Sequence, residues 1–197
     1  MQGGSRLVGF LDTLLGRTKP VPPNLDALFA LPSAAITLQA ASDFQPTGTG
    51  SVCFRAAEGK AFSDIEQDVR DLLNMGENKT PVTVSADSYG FTWLVCKHAT
   101  DDIEGLITDL HAVNSSLQDG GFGPQLLCTI LGFTDASGRR LGLVYLYKRG
   151  TFYPFAPQSG QRRDNATELR IRGLLGNDLK IEPDLARWFP VWGAPGL

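Results

Sequence analysis

Three cysteines and two histidines are spread over 197 residues, and that scarcity closes off several kinds of chemistry. An odd number of Cys with no Cys-x-x-Cys pair is not a disulfide framework and fits a reducing cytoplasm. Only two His, at positions 98 and 111, are available as ligands or bases, and no motif around them signals a zinc site or a convergent nucleophile, base and orienting acid. Apolar runs are short as well: Leu7 to Leu15, Ala27 to Leu38 and Leu126 to Phe133 are each broken by Gly, Pro, Asp or Thr, well short of the roughly 20 residues of a membrane-spanning helix. The N-terminus has one Arg before its apolar patch and no small-residue cleavage site, so it does not read as a secretory signal. With 42% hydrophobic and 20% charged residues, the composition is globular and excludes collagen-like, coiled-coil and disordered classes.

What is present is an uneven charge distribution. Residues 61–124 carry 3 basic and 11 acidic side chains, whereas residues 125–197 carry 10 basic and 6 acidic ones. The acidic residues fall within two helical patterns and the basic ones in the later strands and helix, which predicts an electrically two-sided molecule.

Hydrophobic periodicity orders the elements. Leu7, Phe10, Leu11, Leu14 and Leu15 form a short amphipathic arm before the Pro-rich connector Lys19 to Pro23, so residues 1–23 read as an arm and residues 24–197 as a single domain with an aromatic tail. Asn24 is a candidate cap for a helix over Leu25 to Leu31, followed by a helix over Ser33 to Ala41. Pro46 to Gly50 reads as a breaker, Ser51 to Ala56 as a strand, and Phe62 to Leu73 as a helix with Ser63 and Glu66 in a capping box. Pro81 to Ser85 and Phe91 to His98 form a hairpin. Ile103, Leu106, Ile107, Leu110, Val113 and Leu117 mark a second long helix, closed by Gly120 and Gly121. Leu126 to Phe133 and Leu141 to Lys148 are strands, with Thr151 to Phe155 extending the second, and Ala166 to Leu175 is the last helix. The resulting fold class is α+β: a ferredoxin-like βαββαβ sandwich extended by a further antiparallel strand, with N- and C-terminal helical segments. Both helices of that unit cover one sheet face, which leaves the other for the terminal segments, the tail around Trp188 and Trp192, or a ligand.

No catalytic, cofactor-binding or metal-binding residue is expected. Cys53, Cys96 and Cys128 lie in apolar strands, where buried inert thiols are usual, and the Cys96 and His98 pair matches no standard zinc spacing. The glycines of Pro46 to Ser51 precede a strand instead of following one, so they read as a turn and not as a phosphate loop. Two other readings compete with a protein-binding module. The run Tyr89 to Val95 faintly resembles the base-stacking strand of an RNA-recognition domain, and joint exposure of Phe91 and Trp93 beside Arg or Lys would favour RNA. Convergence of Cys96, Asp109 and His111 on one apolar pocket would favour a small enzyme.

Several long strings carry a family resemblance: Gly9 to Arg17, Asn24 to Ala35, Tyr89 to Val95, Thr108 to Asn114, Gly121 to Cys128, Val144 to Pro157, Arg162 to Asn165 and Arg187 to Leu197. Together they resemble the PspAB family, the PspA-associated proteins found mainly in actinobacteria beside phage shock protein A. The resemblance implies a cytoplasmic, non-enzymatic accessory of the envelope-stress response, with phage shock protein A or a related system protein as partner, no nucleic acid and no cofactor. Family members begin near Gly9 and Phe10, which makes Val8 a candidate initiator. For partner docking the sequence offers Arg162, Arg163, Arg170 and Arg172. The arm residues Leu7, Phe10, Leu11, Leu14 and Leu15, flanked by Arg6, Arg17 and Lys19, suit the anionic inner face of a membrane, with packing onto the domain as the competing fate.

Overall fold

The computed structural model describes residues 23–55, 63, 64, 67–69, 71 and 82–197. Its centre is an antiparallel sheet of six strands: β1 (Gln45–Arg55), β2 (Thr83–Ala86), β3 (Phe91–Lys97), β4 (Leu126–Thr134), β5 (Arg140–Leu146) and β6 (Thr151–Phe155), ordered in space β2-β3-β1-β4-β5-β6. The run β2-β3-β1-β4 is the ferredoxin-like order, and β5 and β6 extend it beyond β4. Three helices, α1 (Leu31–Ala41), α2 (Ile103–Leu117) and α3 (Asn165–Leu175), accompany the sheet. Within the expected helix over Phe62 to Leu73, residues 63, 64, 67–69 and 71 are helical and Val69 is buried. The rest of that span lies outside the described residues, as does the N-terminal arm with Leu7, Phe10, Leu11, Leu14 and Leu15.

Side chains alternate across the sheet and create two apolar layers. Val52, Phe54, Leu94, Cys96, Leu131 and Tyr145 join α1 and α2 in one core. Helix α2 starts where the Asp102 carboxylate accepts the Gly105 amide at 3.0 Å, and it buries Leu106, Ile107, Leu110, Val113 and Leu117. It approaches β1 closely because position 50 is glycine: a Cβ there would stand 2.5 Å from Leu110 Cδ1. On the opposite face Cys53, Trp93, Cys128, Ile130, Val144, Tyr153 and Phe155 pack with Trp188 and Ala194 of the C-terminal segment.

That segment is a strap. Residues 180–182 bridge the free edge of β6, with the Phe152 amide donating to Lys180 O at 2.9 Å and the Glu182 amide to Phe152 O at 2.7 Å. Trp188 then stacks on Tyr153 with centroids 5.9 Å apart, and Trp192 meets Phe155 edge-on at 4.9 Å. The last residues cross Gly132 and Gly142, which are register partners on β4 and β5. A Cβ on Gly132 would lie 2.7 Å from Gly196 O, and one on Gly142 would lie 3.0 Å from Leu197 Cδ1. Two bare positions side by side thus make the flat seat that the tail occupies.

Three local expectations are corrected. Pro46 to Gly50 is not a breaker but the first part of β1, tolerated through an irregular register against β4 between Pro46 and Gly50; Gly48 takes φ +70 there and its carbonyl accepts the His98 amide at 2.9 Å. Thr151 to Phe155 does not prolong β5. Gly150 at φ 63 reverses the chain and β6 pairs back on β5. Leu25–Ala30 is a 3-10 helix with no side-chain cap from Asn24, whose carbonyl accepts the Tyr145 hydroxyl at 2.7 Å instead.

Replacing Gly132 by Val should destabilise the fold by about 1–3 kcal/mol and expose the last residues to carboxypeptidase. Gly173→Ala, at a helix position where an added Cβ meets nothing within 4 Å, should raise stability by about 0.5–1 kcal/mol. Urea unfolding of the two variants checks both signs.

Candidate functional site

The strap covers the second sheet face incompletely and leaves a cavity of about 690 Å³. Its floor is one transverse row of the sheet, Trp93, Cys53, Cys128 and Leu146, which are successive register partners on β3, β1, β4 and β5. Phe91, Leu127 and Tyr153 extend the floor; Tyr89 from the β2–β3 turn and Phe189, Pro190, Val191 and Trp192 from the strap also line the space. Arg55, Lys148, Arg149, Arg187 and Asp87 are the charged members of the lining.

The polar side chains that touch the floor are already committed. Asp87 accepts the amides of Tyr89 and Phe91 at 2.8 and 2.9 Å and the indole N–H of Trp93 at 2.9 Å. Partial burial acts to raise the Asp87 carboxyl, but these hydrogen bonds outweigh it and hold its pKa below the ordinary value. The Tyr153 hydroxyl donates to Phe189 O at 2.8 Å, and burial pushes its pKa well up, so it remains a neutral phenol. Cys53 and Cys128 are free, buried and directly opposed. The hydrogen bond to Cys128, with burial, drives the Cys53 pKa far upward, which keeps it a protonated and unreactive thiol.

On the cation side the members differ. Arg149 donates to the buried Glu182 at 3.5 Å and Arg187 to Asp184 at 3.0 Å. Arg55 and Lys148 are exposed and make no salt bridge among the described residues. Glu182, fully buried, also accepts the Thr151 hydroxyl at 2.8 Å and the Asp184 amide at 3.2 Å. Burial raises its carboxyl, and those donors with the Arg149 charge reverse the shift to a lowered pKa.

The residues singled out by sequence lie elsewhere. Arg163 is an internal strut: its guanidinium donates to the buried Glu168 at 2.9 Å and to Trp188 O, and it sits 5.2 Å over the Phe155 ring. Arg162 and Arg170 are exposed and Arg172 is half-buried. Arg162 lines a polar groove of about 580 Å³ together with Arg139 and Arg140. Phe91 and Trp93 share the cavity with Arg55, but Trp93 is only 3% exposed, so the pair is not displayed jointly. Cys96, Asp109 and His111 do not line the cavity and do not converge. Among the described residues no group of three or more His, Cys, Asp or Glu is placed to hold a metal ion, and no helix is long and apolar enough to cross a membrane.

His98 instead ties β3 to α2. Its Nδ1 lies 2.7 Å from Asp102 and its Nε2 2.7 Å from Asp109, an arrangement that favours the imidazolium, whose two ring nitrogens both donate. Burial acts to lower its pKa, and the two carboxylates override that and raise it above 6.5. The cavity itself escaped sequence reasoning, although alternation along β1, β3 and β4 already puts Cys53, Trp93 and Cys128 on one face. The missing information was the register that sets them in one row.

A family model described as PspAB, PspA associated protein B, matches residues 8–196, nearly the whole chain. No curated protein and no solved structure matches it.

A group whose pKa is raised on folding stabilises the native state below its unfolded pKa and loses that contribution as pH rises through the folded value. Urea midpoints should therefore fall as pH climbs from about 6 through the raised His98 pKa. His98→Gln should be less stable at pH 6 and lack that decline, as parallel titrations of both proteins will show.

Proposed function

The chain belongs to the PspA associated protein B family, and from that premise we propose that it is a non-enzymatic accessory of the phage shock, or envelope-stress, response. It acts by binding phage shock protein A or a protein of its system at the cytoplasmic side of the membrane. The observation that carries this reading is the extent of the match, residues 8–196. The unreactive state of the Cys53 thiol and the engagement of His98 in an ion triad support a binding role over a chemical one.

The docking surface we assign lies on the basic C-terminal third. Arg163 is occupied internally, so Arg162, Arg170 and Arg172 are the sequence-selected cations that remain for a partner. Arg170 stands beside Leu169, which is 49% exposed, giving an apolar contact next to a charge. Arg170 and Arg172 point about 200° apart around the helix, so Arg162 and Arg170 are the better probes. Exposed charges of this kind set association rate and salt dependence more than final affinity.

Arg162→Glu combined with Arg170→Glu should slow association with phage shock protein A about tenfold at low salt and much less at high salt, with the melting temperature unchanged. Unchanged association kinetics at low salt would remove this surface from docking. Arg163→Ala should behave differently: it strands the buried Glu168 and costs about 3 kcal/mol of stability, measurable by denaturant unfolding.

A further inference from the structure

We propose that the cavity between the sheet and the C-terminal strap is a binding site for a single-chain amphiphile, one hydrocarbon tail ending in an anionic head such as a carboxylate or phosphate. The inference does not depend on the partner assigned above; it rests on the match between what the cavity offers and what such a molecule needs. The volume, about 690 Å³, is within the range of small-molecule sites. The floor offers no spare side-chain hydrogen bond, because Trp93 Nε1 is held by Asp87 and the Tyr153 hydroxyl by Phe189 O. The described buried side-chain polar atoms without a partner are Gln125 Oε1 and Arg163 Nη2, and neither residue lines the space. A peptide backbone or a nucleobase laid on that floor would lose water contacts and gain no side-chain partner there, at a penalty that a hydrocarbon tail does not incur.

The charged residues select the head. Asp87 is saturated by three donors, and Arg149 and Arg187 are each engaged with a carboxylate. Arg55 and Lys148 are exposed cations with no salt bridge among the described residues, and both belong to the cavity lining. An apolar chamber bordered by two uncommitted cations is complementary to an anion with an apolar body. The tail would lie along Cys53, Cys128 and Leu146, with its head at Arg55 and Lys148.

The test uses the full chain and follows tryptophan fluorescence, since Trp93 and Trp192 both line the space, during titration with octanoate, decanoate and dodecanoate below their micelle concentrations. Dodecyl phosphate and dodecanol complete the series. Saturable binding is expected, tightening about fourfold for each added methylene that is buried, with both anions favoured over the alcohol. Arg55→Ala combined with Lys148→Ala should weaken dodecanoate about tenfold and leave dodecanol unchanged, without altering the melt, because both residues are exposed. Absence of saturable binding, affinity independent of chain length, or equal binding of dodecanol and dodecanoate would overturn the proposal.

Discussion

A sheet that is apolar on both faces has to be covered twice, and the rest of this molecule is arranged around that requirement. Helix α2 covers one face as a helix of a ferredoxin-like sandwich does, and α1, which precedes the βαββαβ unit, joins it in the same core. The other face carries Trp93, Val144, Tyr153 and Phe155, side chains of the size for which complete burial is worth roughly 1.5–3 kcal/mol each, and among the described residues no α-helix joins that core. The chain meets the need with its own last residues. Aromatic contact with Tyr153 and Phe155, and the glycine seat at positions 132 and 142, hold the strap down, so the C-terminus is part of the second core and not an appendage to the first.

Buried charge fixes where the strap begins and ends. Glu182 and Glu168 are almost completely enclosed, and an unpaired carboxylate in such a place would be strongly destabilising. Each accepts from several donors: Thr151, Arg149 and the Asp184 amide for Glu182, and Arg163 and the Ala156 amide, both at Oε1, for Glu168. Arg163 goes further and reaches Trp188 O, and the Trp188 indole returns to Glu182 O at 3.0 Å. Strap, β6 and α3 are thereby locked to one another by directional bonds, while the apolar contacts supply most of the attraction. The cavity survives because the strap does not pack tightly onto the sheet row at Cys53 and Cys128.

Much of this was legible in the residues. The periodicity of Ile103 to Leu117 and the Asp87 to Gly90 turn announce α2 and the β2–β3 hairpin, since spacing and turn chemistry are local properties. The order βαββαβ follows from them and the strand order agrees. Failures occurred where tertiary contact overrode local preference. Pro46 and Gly48 read as breakers, yet β4 and the His98 amide recruit them into β1. Nothing in Thr151 to Phe155 distinguishes a continued strand from a returning one, because the reversal depends on Gly150. Arg163 looks like any surface arginine until α3 brings Glu168 beneath it, and the cavity depends on a register that pairs residues 75 positions apart.

For function, the division of surfaces matters most. The family is the one associated with PspA, the basic third is the face we propose for a protein partner, and the strapped sheet face holds a separate chamber with an apolar floor. The chamber rests on the strap being an integral layer of the fold. The direct measurement is thermal unfolding of Trp188→Ala in the full chain, because this side chain is 5% exposed, stacks on Tyr153 and donates to Glu182 O. A loss of about 3–5 kcal/mol is expected for removing a buried Trp, seen as a fall in the midpoint of about 10 °C in a single cooperative transition. A midpoint within about 1 °C of the parent would show that the strap is not part of the core and would contradict the account.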